Sequence, residues 1–310
     1  MSEKKRRQQT QMVPYPSRAS VPERDLGYMP VLECSHLGIE FGGLKAVDDF
    51  SVVMGRTEIG GLIGPNGAGK TTIFNLLTKV YQPTHGTMML EGRDMGNMTT
   101  VDVSKAGIAR TFQNIRLFNN MTVEENVRIG LHNQIRCGMF SGILRLPKYW
   151  KAEKEQHEKT LELLNIFDMA GMADERAGSL PYGAQRRLEI VRALATHPKL
   201  LLLDEPTKGL DAGKKRDVAE ILRRLKASGV TVAVVTHDVE FAAVCADRCA
   251  MFFRGGVVSV GRPDAFFSGN SFYTTAAARM SKGFYDRAVT VEDLSALCRL
   301  NGRKGGGGKC

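Results

Sequence analysis

A glycine-rich loop that ends in lysine and threonine is the part of this sequence most suited to chemistry. Residues 64–71 read G-P-N-G-A-G-K-T, which matches G-x-x-x-x-G-K-[ST], the pattern of a phosphate-binding loop. In such a loop, backbone amides turn toward the phosphates, and the following helix adds the positive end of its dipole. We expect Lys70 to reach the β- and γ-phosphates of a nucleoside triphosphate and Thr71 to bind Mg²⁺. The residues predicted to bind this nucleotide are Gly64, Pro65, Asn66, Gly67, Ala68, Gly69, Lys70, Thr71 and Thr72.

Two adjacent carboxylates form a second candidate element. Asp204 and Glu205 directly follow a continuous apolar run over residues 200–203. Asp204 is predicted to hold the Mg²⁺, directly or through water. Glu205, held by Pro206, is predicted to polarise the attacking water, which contributes about 10²–10⁴ in rate. By itself Glu205 would be better interpreted as a solvated carboxylate at a strand end, but the phosphate-binding loop in the same chain favours the catalytic interpretation.

Apolar runs without polar alternation predict the strands that would position these groups. They cover residues 57–63, 200–203 and 230–235, and the last run leads to a threonine and His237. Such runs are typical of parallel strands buried on both faces, and ligands of open α/β sheets bind at the carboxyl ends of the strands. From about residue 114 to 180 the pattern becomes mainly helical. The sequence therefore predicts an α/β fold with an inserted helical subdomain.

Further motifs follow in the order found in the ATP-binding subunits of ABC transporters, which the chain resembles from about Val31 to Gly261. Gln113, within R-T-F-Q-N, resembles the glutamine that approaches Mg²⁺ and joins the helical subdomain to the core. Gly183 lies in L-P-Y-G-A-Q, which is similar to the family signature. His237 takes the place of the switch histidine, and Phe41 that of the aromatic residue that stacks on adenine.

This resemblance implies a fold, an activity and a set of roles. The fold is an α/β P-loop NTPase of the ABC ATPase type, with a mixed-sheet core, a helical subdomain at about 114–180 and an antiparallel β subdomain. The activity is hydrolysis of ATP, with ATP and Mg²⁺ as cofactors. The implied catalytic residues are Glu205, His237 and Gln113. Besides the loop, the implied nucleotide contacts are Phe41, Asp204 and Gly183, and the implied Mg²⁺ ligands are Thr71, Gln113 and Asp204.

The signature departs from the commonest form of the family. Pro181 and Tyr182 stand where that form has serine and glycine, so the usual hydroxyl contact to the γ-phosphate is absent. Gly183 and the helix after it can still present a helix N-terminus to the phosphate of a partner. We expect a weaker phosphate contact and retained function.

Different parts of the chain resemble the ATPases of two types of importer. Residues 31–206 resemble ATPases of branched-chain amino acid importers, through L-x-Y-G-x-Q-R-R-L-E and an insert at 132–150. Residues 207–300 look more like ATPases of energy-coupling-factor vitamin and metal importers. Recombination, sequence misassembly and divergence of the distal half are open explanations. Branched-chain amino acid transport is the leading expectation, and energy-coupling-factor transport or a soluble non-transport ABC ATPase are the alternatives.

The resemblance also implies partners. In the family, two such domains pack head to tail, so that each ATP lies between one phosphate-binding loop and the other signature. We therefore expect a second ATPase subunit, identical or different, and a separate integral-membrane permease. The sequence lacks a stretch of about 18 apolar residues that could span a bilayer and an apolar secretion signal at its start. The predicted location is cytoplasmic and peripheral, on the inner face of the plasma membrane.

The net charge of +10 is concentrated at the two ends of the chain. Residues 1–30 and residues 282–310 each carry six Lys/Arg against three Asp/Glu. A nucleic-acid-binding protein would instead place its charge on one folded face among aromatic residues, so no nucleic-acid partner is expected. We predict a disordered basic tail over 1–30, an ABC ATPase domain over 31–281, and a C-terminal extension over 282–310 that is mostly flexible at its end.

Overall fold

The computed structural model describes residues 29–131, 147–269, 273–285 and 287–302. Most of the predicted basic tail, much of the insert at 132–150, and the end of the C-terminal extension lie outside the described residues. Within the described part of the chain, no helix is both long enough and apolar enough to cross a bilayer.

The described residues form one mixed sheet of ten strands, in the order β5-β4-β1-β2-β10-β9-β3-β8-β7-β6. Strands β9, β3, β8, β7 and β6 run parallel, whereas β1 pairs antiparallel with β2 and β4. This arrangement confirms the predicted mixed-sheet core with an antiparallel β part. The strands are β1 Leu32–Phe41, β2 Leu44–Met54, β3 Ile59–Ile63, β4 His85–Leu90, β5 Arg93–Asp94, β6 Ile108–Arg110, β7 Leu200–Asp204, β8 Thr231–Thr236, β9 Arg248–Phe253 and β10 Gly256–Gly261.

Helices occupy the connections between the strands. The helices of the core and of the region after β10 are α1 Lys70–Leu77, α2 Thr100–Ala106, α6 Ala212–Ala227, α7 Val239–Cys245, α8 Pro263–Gly269, α9 Ala276–Ser281 and α10 Val291–Gly302. The region predicted as a helical subdomain contributes α3 Val123–Leu131, α4 Pro147–Ile166 and, just after its end, α5 Tyr182–Leu194. The predicted alternation of strands and helices is therefore confirmed.

Strand β7 lies between β8 and β6 inside the sheet, and it is buried on both faces because a hydrophobic cluster packs against each face. Successive side chains of a strand point to opposite faces. Accordingly, Leu201 and Leu203 pack with the helical region, in a cluster that includes Val127 and Leu188. Leu200 and Leu202 pack on the other face with the antiparallel strands. The side chains of this apolar run therefore belong to two hydrophobic clusters. Asp204 and Glu205 lie at its carboxyl end.

The segment after β10 packs against residues of β3, β9 and α7. Phe266 and Phe267 meet edge to face, with ring centroids 5.0 Å apart. Both are buried in a cluster that also contains Ile63, Met251 and Val289. This part of the chain therefore contributes to the core, and the boundary between residues 281 and 282 remains a prediction.

Candidate nucleotide site

The glycine-rich loop connects the carboxyl end of β3 to the first residue of α1. Gly69 caps the helix with φ 101° and offers no side chain to the amides of the first turn. A Cβ at Gly69 would lie 2.5 Å from the carbonyl oxygen of Ala46, and one at Gly64 would clash with the carbonyl oxygen of Phe252. These close approaches require glycine. They leave the loop with a backbone surface against which phosphate oxygens can rest.

Lys70 lies inside the curve of this loop. Its buried ammonium donates hydrogen bonds to the carbonyl oxygens of Gly64, at 2.7 Å, and Pro65, at 2.8 Å. Burial lowers the pKa of Lys70, while the nearby charges of Glu205 and Asp204 oppose this effect. The structure therefore brings the loop lysine and the acid pair into one electrostatic environment.

Asp204 ends β7 and is 1 % exposed. Its Oδ2 accepts a hydrogen bond from Nη2 of Arg110 at 3.1 Å, whereas its buried Oδ1 has no hydrogen-bond partner among the described residues. Burial raises the pKa of Asp204, although Arg110 and the hydroxyl of Thr71 act against this rise. Such an unpartnered carboxylate oxygen beside a threonine hydroxyl fits Mg²⁺, which prefers oxygen ligands.

Glu205 follows immediately and lies in the left-handed region, with φ 49°. Its carboxylate is held at both oxygens, because Oε1 is 2.8 Å from Nδ1 of His237 and Oε2 accepts a hydrogen bond from the Thr236 hydroxyl at 3.1 Å. Its backbone amide donates to the carbonyl oxygen of Val235 at 2.8 Å. These contacts exist because β7 and β8 are neighbouring parallel strands, with Asp204 in register with Val235.

Gln113 has an exposed side chain, and its backbone is anchored to the core of the protein. Its carbonyl oxygen accepts a hydrogen bond from Nη2 of Arg186 at 3.0 Å. The same nitrogen also donates to the carbonyl oxygen of Glu205 at 3.1 Å. The Arg186 guanidinium therefore links the backbone of Gln113 to that of Glu205, and the side chain of Gln113 is exposed to solvent.

Phe41 and Gly183 contact other residues than the loop and the acid pair. Phe41 is half-exposed at the end of β1 and contacts Tyr81 edge to face, with ring centroids 5.3 Å apart. Gly183 lies in the first turn of α5, and the atoms nearest to a Cβ there belong to Lys214 and Leu210. The structure thus gathers the loop, the acid pair and His237, while the signature glycine lies with another group of residues.

Arg110 and Arg186 are site residues that sequence reasoning did not assign. Arg110 is the last residue of β6, and the rule that ligand-binding groups follow strand ends could have identified it. It also donates to Oδ1 of Asn75 at 2.6 Å, and its guanidinium lies 5.1 Å from the ring centre of Phe112. For Arg186, the available signal was an Arg–Glu pair at i and i+3 on an otherwise apolar helix face.

The chain is similar to ATP-binding proteins of ABC transporters. The family model described as ABC transporter matches residues 47–208. The high-affinity branched-chain amino acid transport ATP-binding protein LivG of Salmonella typhimurium is 38% identical over 236 residues, which are 76% of this chain and 92% of the relative. LivG of Escherichia coli K12 is 37% identical over the same shares, and BraF of Pseudomonas aeruginosa is 36% identical.

Solved structures resemble the chain over a similar range. A nucleotide-free ATP-binding cassette from an ABC transporter has a TM-score of 0.66 and 30% identity, and the match covers 76% of this chain and 92% of that one. A dimeric ATP-binding cassette in a post-hydrolysis state, bound to ADP and Pi, has a TM-score of 0.64 and 26% identity, with 75% and 98% covered.

Proposed function

Because the chain belongs to the ABC transporter family, we propose that it is the ATP-hydrolysing subunit of an importer for branched-chain amino acids. The observation that carries this proposal is the convergence of Lys70, Asp204 and Glu205 at the carboxyl ends of β3 and β7, the parallel strands on either side of β8. The substrate class is supported by the relatives LivG and BraF, whose names describe branched-chain amino acid transport.

The arrangement supports a direct hydrolytic mechanism. The loop amides and Lys70 bind the phosphates, and Thr71 and Asp204 would hold Mg²⁺. The family resemblance adds Gln113, whose exposed side chain would have to turn toward the ion. When bound, Mg²⁺ would neutralise charge on the β- and γ-phosphate oxygens. Glu205 accepts a proton as the water oxygen attacks the γ-phosphorus, and the bond to the bridging oxygen breaks to release ADP. His237 orients the Glu205 carboxylate and can contact the γ-phosphate.

The residues nearest to Gly183 are Lys214 and Leu210, which lie outside the phosphate-binding loop. We propose that two ATPase subunits pack head to tail, so that Gly183 of one subunit closes the nucleotide site of the other. ATP then stabilises the closed state selectively, because it contacts both halves only in that state. The partner that receives this motion is a membrane permease, which places the subunit peripherally on the inner face of the plasma membrane.

The proposed ATPase activity has a direct test. Calorimetry on the full chain should detect MgATP binding, and Lys70→Ala should weaken it by removing the ammonium that meets the phosphates. The exposed Lys154→Ala is the matched control and should bind as the wild type does. Normal MgATP affinity in Lys70→Ala would contradict the assigned site.

The proposed importer class needs a second test. Co-expression with branched-chain amino acid permeases should stimulate ATP hydrolysis, whereas co-expression with an energy-coupling-factor membrane subunit should not. The alternative rests on residues 207–300, whose resemblance to energy-coupling-factor ATPases remains a prediction. Stimulation by the energy-coupling-factor subunit alone would reverse the assignment, and activity that responds to neither would favour a soluble non-transport ATPase.

A further inference from the structure

We propose that Arg186 and Glu189 form a positioning pair that holds the backbone of Glu205 and the Gln113 segment in their hydrolytic arrangement. The pair lies on α5, the helix that begins at the signature. The inference rests on the proposed ATPase function, since it concerns the residues to which that function assigns water activation and Mg²⁺ contact. Neither Arg186 nor Glu189 is placed to touch the nucleotide, and both act through other residues.

Arg186 joins two segments that are distant in the sequence. Its side chain is fully buried, at 0 % exposure. Its Nη1 donates to the carbonyl oxygen of Phe112 at 2.6 Å, and its Nη2 donates to those of Gln113, at 3.0 Å, and Glu205, at 3.1 Å. The rigid fork of a guanidinium is suited to such a task, because its donors have fixed relative directions. One side chain therefore sets the distance between these two segments.

Glu189 completes the connection from the next turn of the same helix. Its Oε2 accepts a hydrogen bond from Nη1 of Arg186 at 2.7 Å. Its Oε1 accepts from the backbone amides of Phe112, at 3.2 Å, and Arg116, at 3.4 Å. The two side chains thus bind both the donors and the acceptors of the segment around Gln113.

The energetics favour a geometric role for this pair. The desolvation penalty of a buried ion pair is offset only partly by the attraction between its two charges. Well-packed apolar residues of similar volume are often as stabilising. Glu205 meanwhile holds a positive φ, which costs free energy in a residue with a side chain and persists only when the surroundings determine it. Arg186 supplies the contact to the Glu205 carbonyl, so it helps to maintain this conformation.

The pair has a mechanical consequence. A displacement of α5 is transmitted to the Glu205 backbone and to the Gln113 segment at the same time, because the same side chains bind both. A misplacement of about 1 Å at a catalytic group can cost about 10²-fold in rate. The position of the helix after the signature therefore controls hydrolysis in its own subunit, in addition to any contact with a partner.

The decisive variant removes both charges together. Arg186→Met/Glu189→Met leaves no unpaired buried charge. It does remove the partners of five backbone groups, so we expect it to fold with a melting temperature below that of the wild type. We expect an unchanged KM for ATP and a kcat reduced by about 10- to 100-fold. Arg187→Met is the matched control, because Arg187 lies on the same helix and donates only to the carbonyl oxygen of Phe167 among its described contacts. This control should keep the wild-type kcat.

Hydrogen exchange provides a readout that does not depend on turnover. In the double variant, the amides of Phe112, Arg116 and Glu205 should exchange faster than in the wild type, and in Arg187→Met they should not. Unchanged exchange and unchanged kcat in a folded double variant would overturn the proposal. If that variant fails to fold, Arg186→Lys takes its place, since it keeps the charge but loses the fork. A wild-type kcat in Arg186→Lys would then overturn the proposal.

These measurements separate the two proposals. A wild-type chain that hydrolyses no ATP contradicts the proposed function, and the exchange experiment still decides the role of the pair. A wild-type chain that hydrolyses ATP, together with an equally active double variant, contradicts only the positioning role.

Discussion

Glu205 shows how much of the proposed chemistry depends on the orientation of one side chain. Both of its oxygens are already directed, one by His237 and the other by Thr236. Its burial to 5 % exposure limits the directions in which the carboxylate can turn. A general base that is held in this way needs little reorganisation when the water arrives.

Glu205→Gln should separate nucleotide binding from turnover. The amide keeps the size of the side chain but cannot accept the proton of the water. We expect MgATP affinity close to that of the wild type and a kcat lower by about 10²–10⁴. Calorimetry and phosphate release measure the two quantities, and Glu220→Gln, on the exposed face of α6, serves as control. Wild-type turnover in Glu205→Gln would remove the residue from its role.

The lowered pKa of Lys70 predicts how the stability of the protein depends on pH. Burial depresses its pKa in the folded state, so the native protein binds fewer protons than the unfolded chain in the interval between the folded and unfolded pKa values. Stability increases with pH wherever the unfolded state binds more protons. The wild type should therefore gain stability relative to Lys70→Met as the pH rises toward the ordinary lysine pKa. Urea unfolding without nucleotide at several alkaline pH values tests this, and a pH-independent difference would contradict it.

At the scale of elements, the site depends on how closely the loop approaches its neighbouring strands. Gly64 follows β3 and lies directly against the carbonyl of Phe252 at the end of β9. Strands β3 and β9 are parallel neighbours, with Ile63 in register with Met251. The loop geometry is therefore set by the spacing of two strands.

Gly64→Ala should destabilise the protein by about 1–3 kcal/mol, because the added methyl group overpacks this contact. It should also weaken MgATP binding, since relief of the clash displaces the loop. Gly171→Ala is the matched control, because a Cβ there meets nothing within 4 Å. The control should be neutral or stabilising by about 0.4–1 kcal/mol. Denaturant unfolding measures both, and equal effects would refute the steric explanation.

At the scale of the whole molecule, the structure assembles part of the proposed site and leaves the signature elsewhere. The loop, the acid pair and His237 converge, while Gly183 is nearest to Lys214 and Leu210. In the proposed head-to-tail pair, Gly183 of one subunit would complete the nucleotide site of the other.

ATP-dependent association should therefore be visible in a variant that does not turn over. With MgATP, Glu205→Gln should elute as a dimer by size-exclusion chromatography with light scattering. Adding Gly183→Asp should restore the monomer, because its carboxylate would face the partner's γ-phosphate, while MgATP binding to the monomer persists. Gly171→Asp is the control and should leave the dimer intact. A Gly183→Asp variant that dimerises equally well would exclude the signature from the interface.

The sequence predicted the chemistry that neighbouring residues carry. The loop at 64–72 and the pair Asp204–Glu205 are each contiguous, so their residue types and spacing could be recognised as patterns. The apolar runs also indicated the parallel strands, since burial on both faces leaves no polar alternation. These features could be predicted because each is a pattern of residue types within a short stretch of chain.

Which distant residues contact the acid pair became known from the folded structure. Arg110 reaches Asp204 because β6 and β7 pair, although 94 positions separate the two residues. Arg186 reaches the Glu205 carbonyl because α5 packs against β6, the neighbour of β7. Strand order and helix packing arise from burial of the whole chain, and residue spacing does not encode them. The loop and acid pair were therefore readable from the sequence, whereas the contacts that hold them became visible only in the folded molecule.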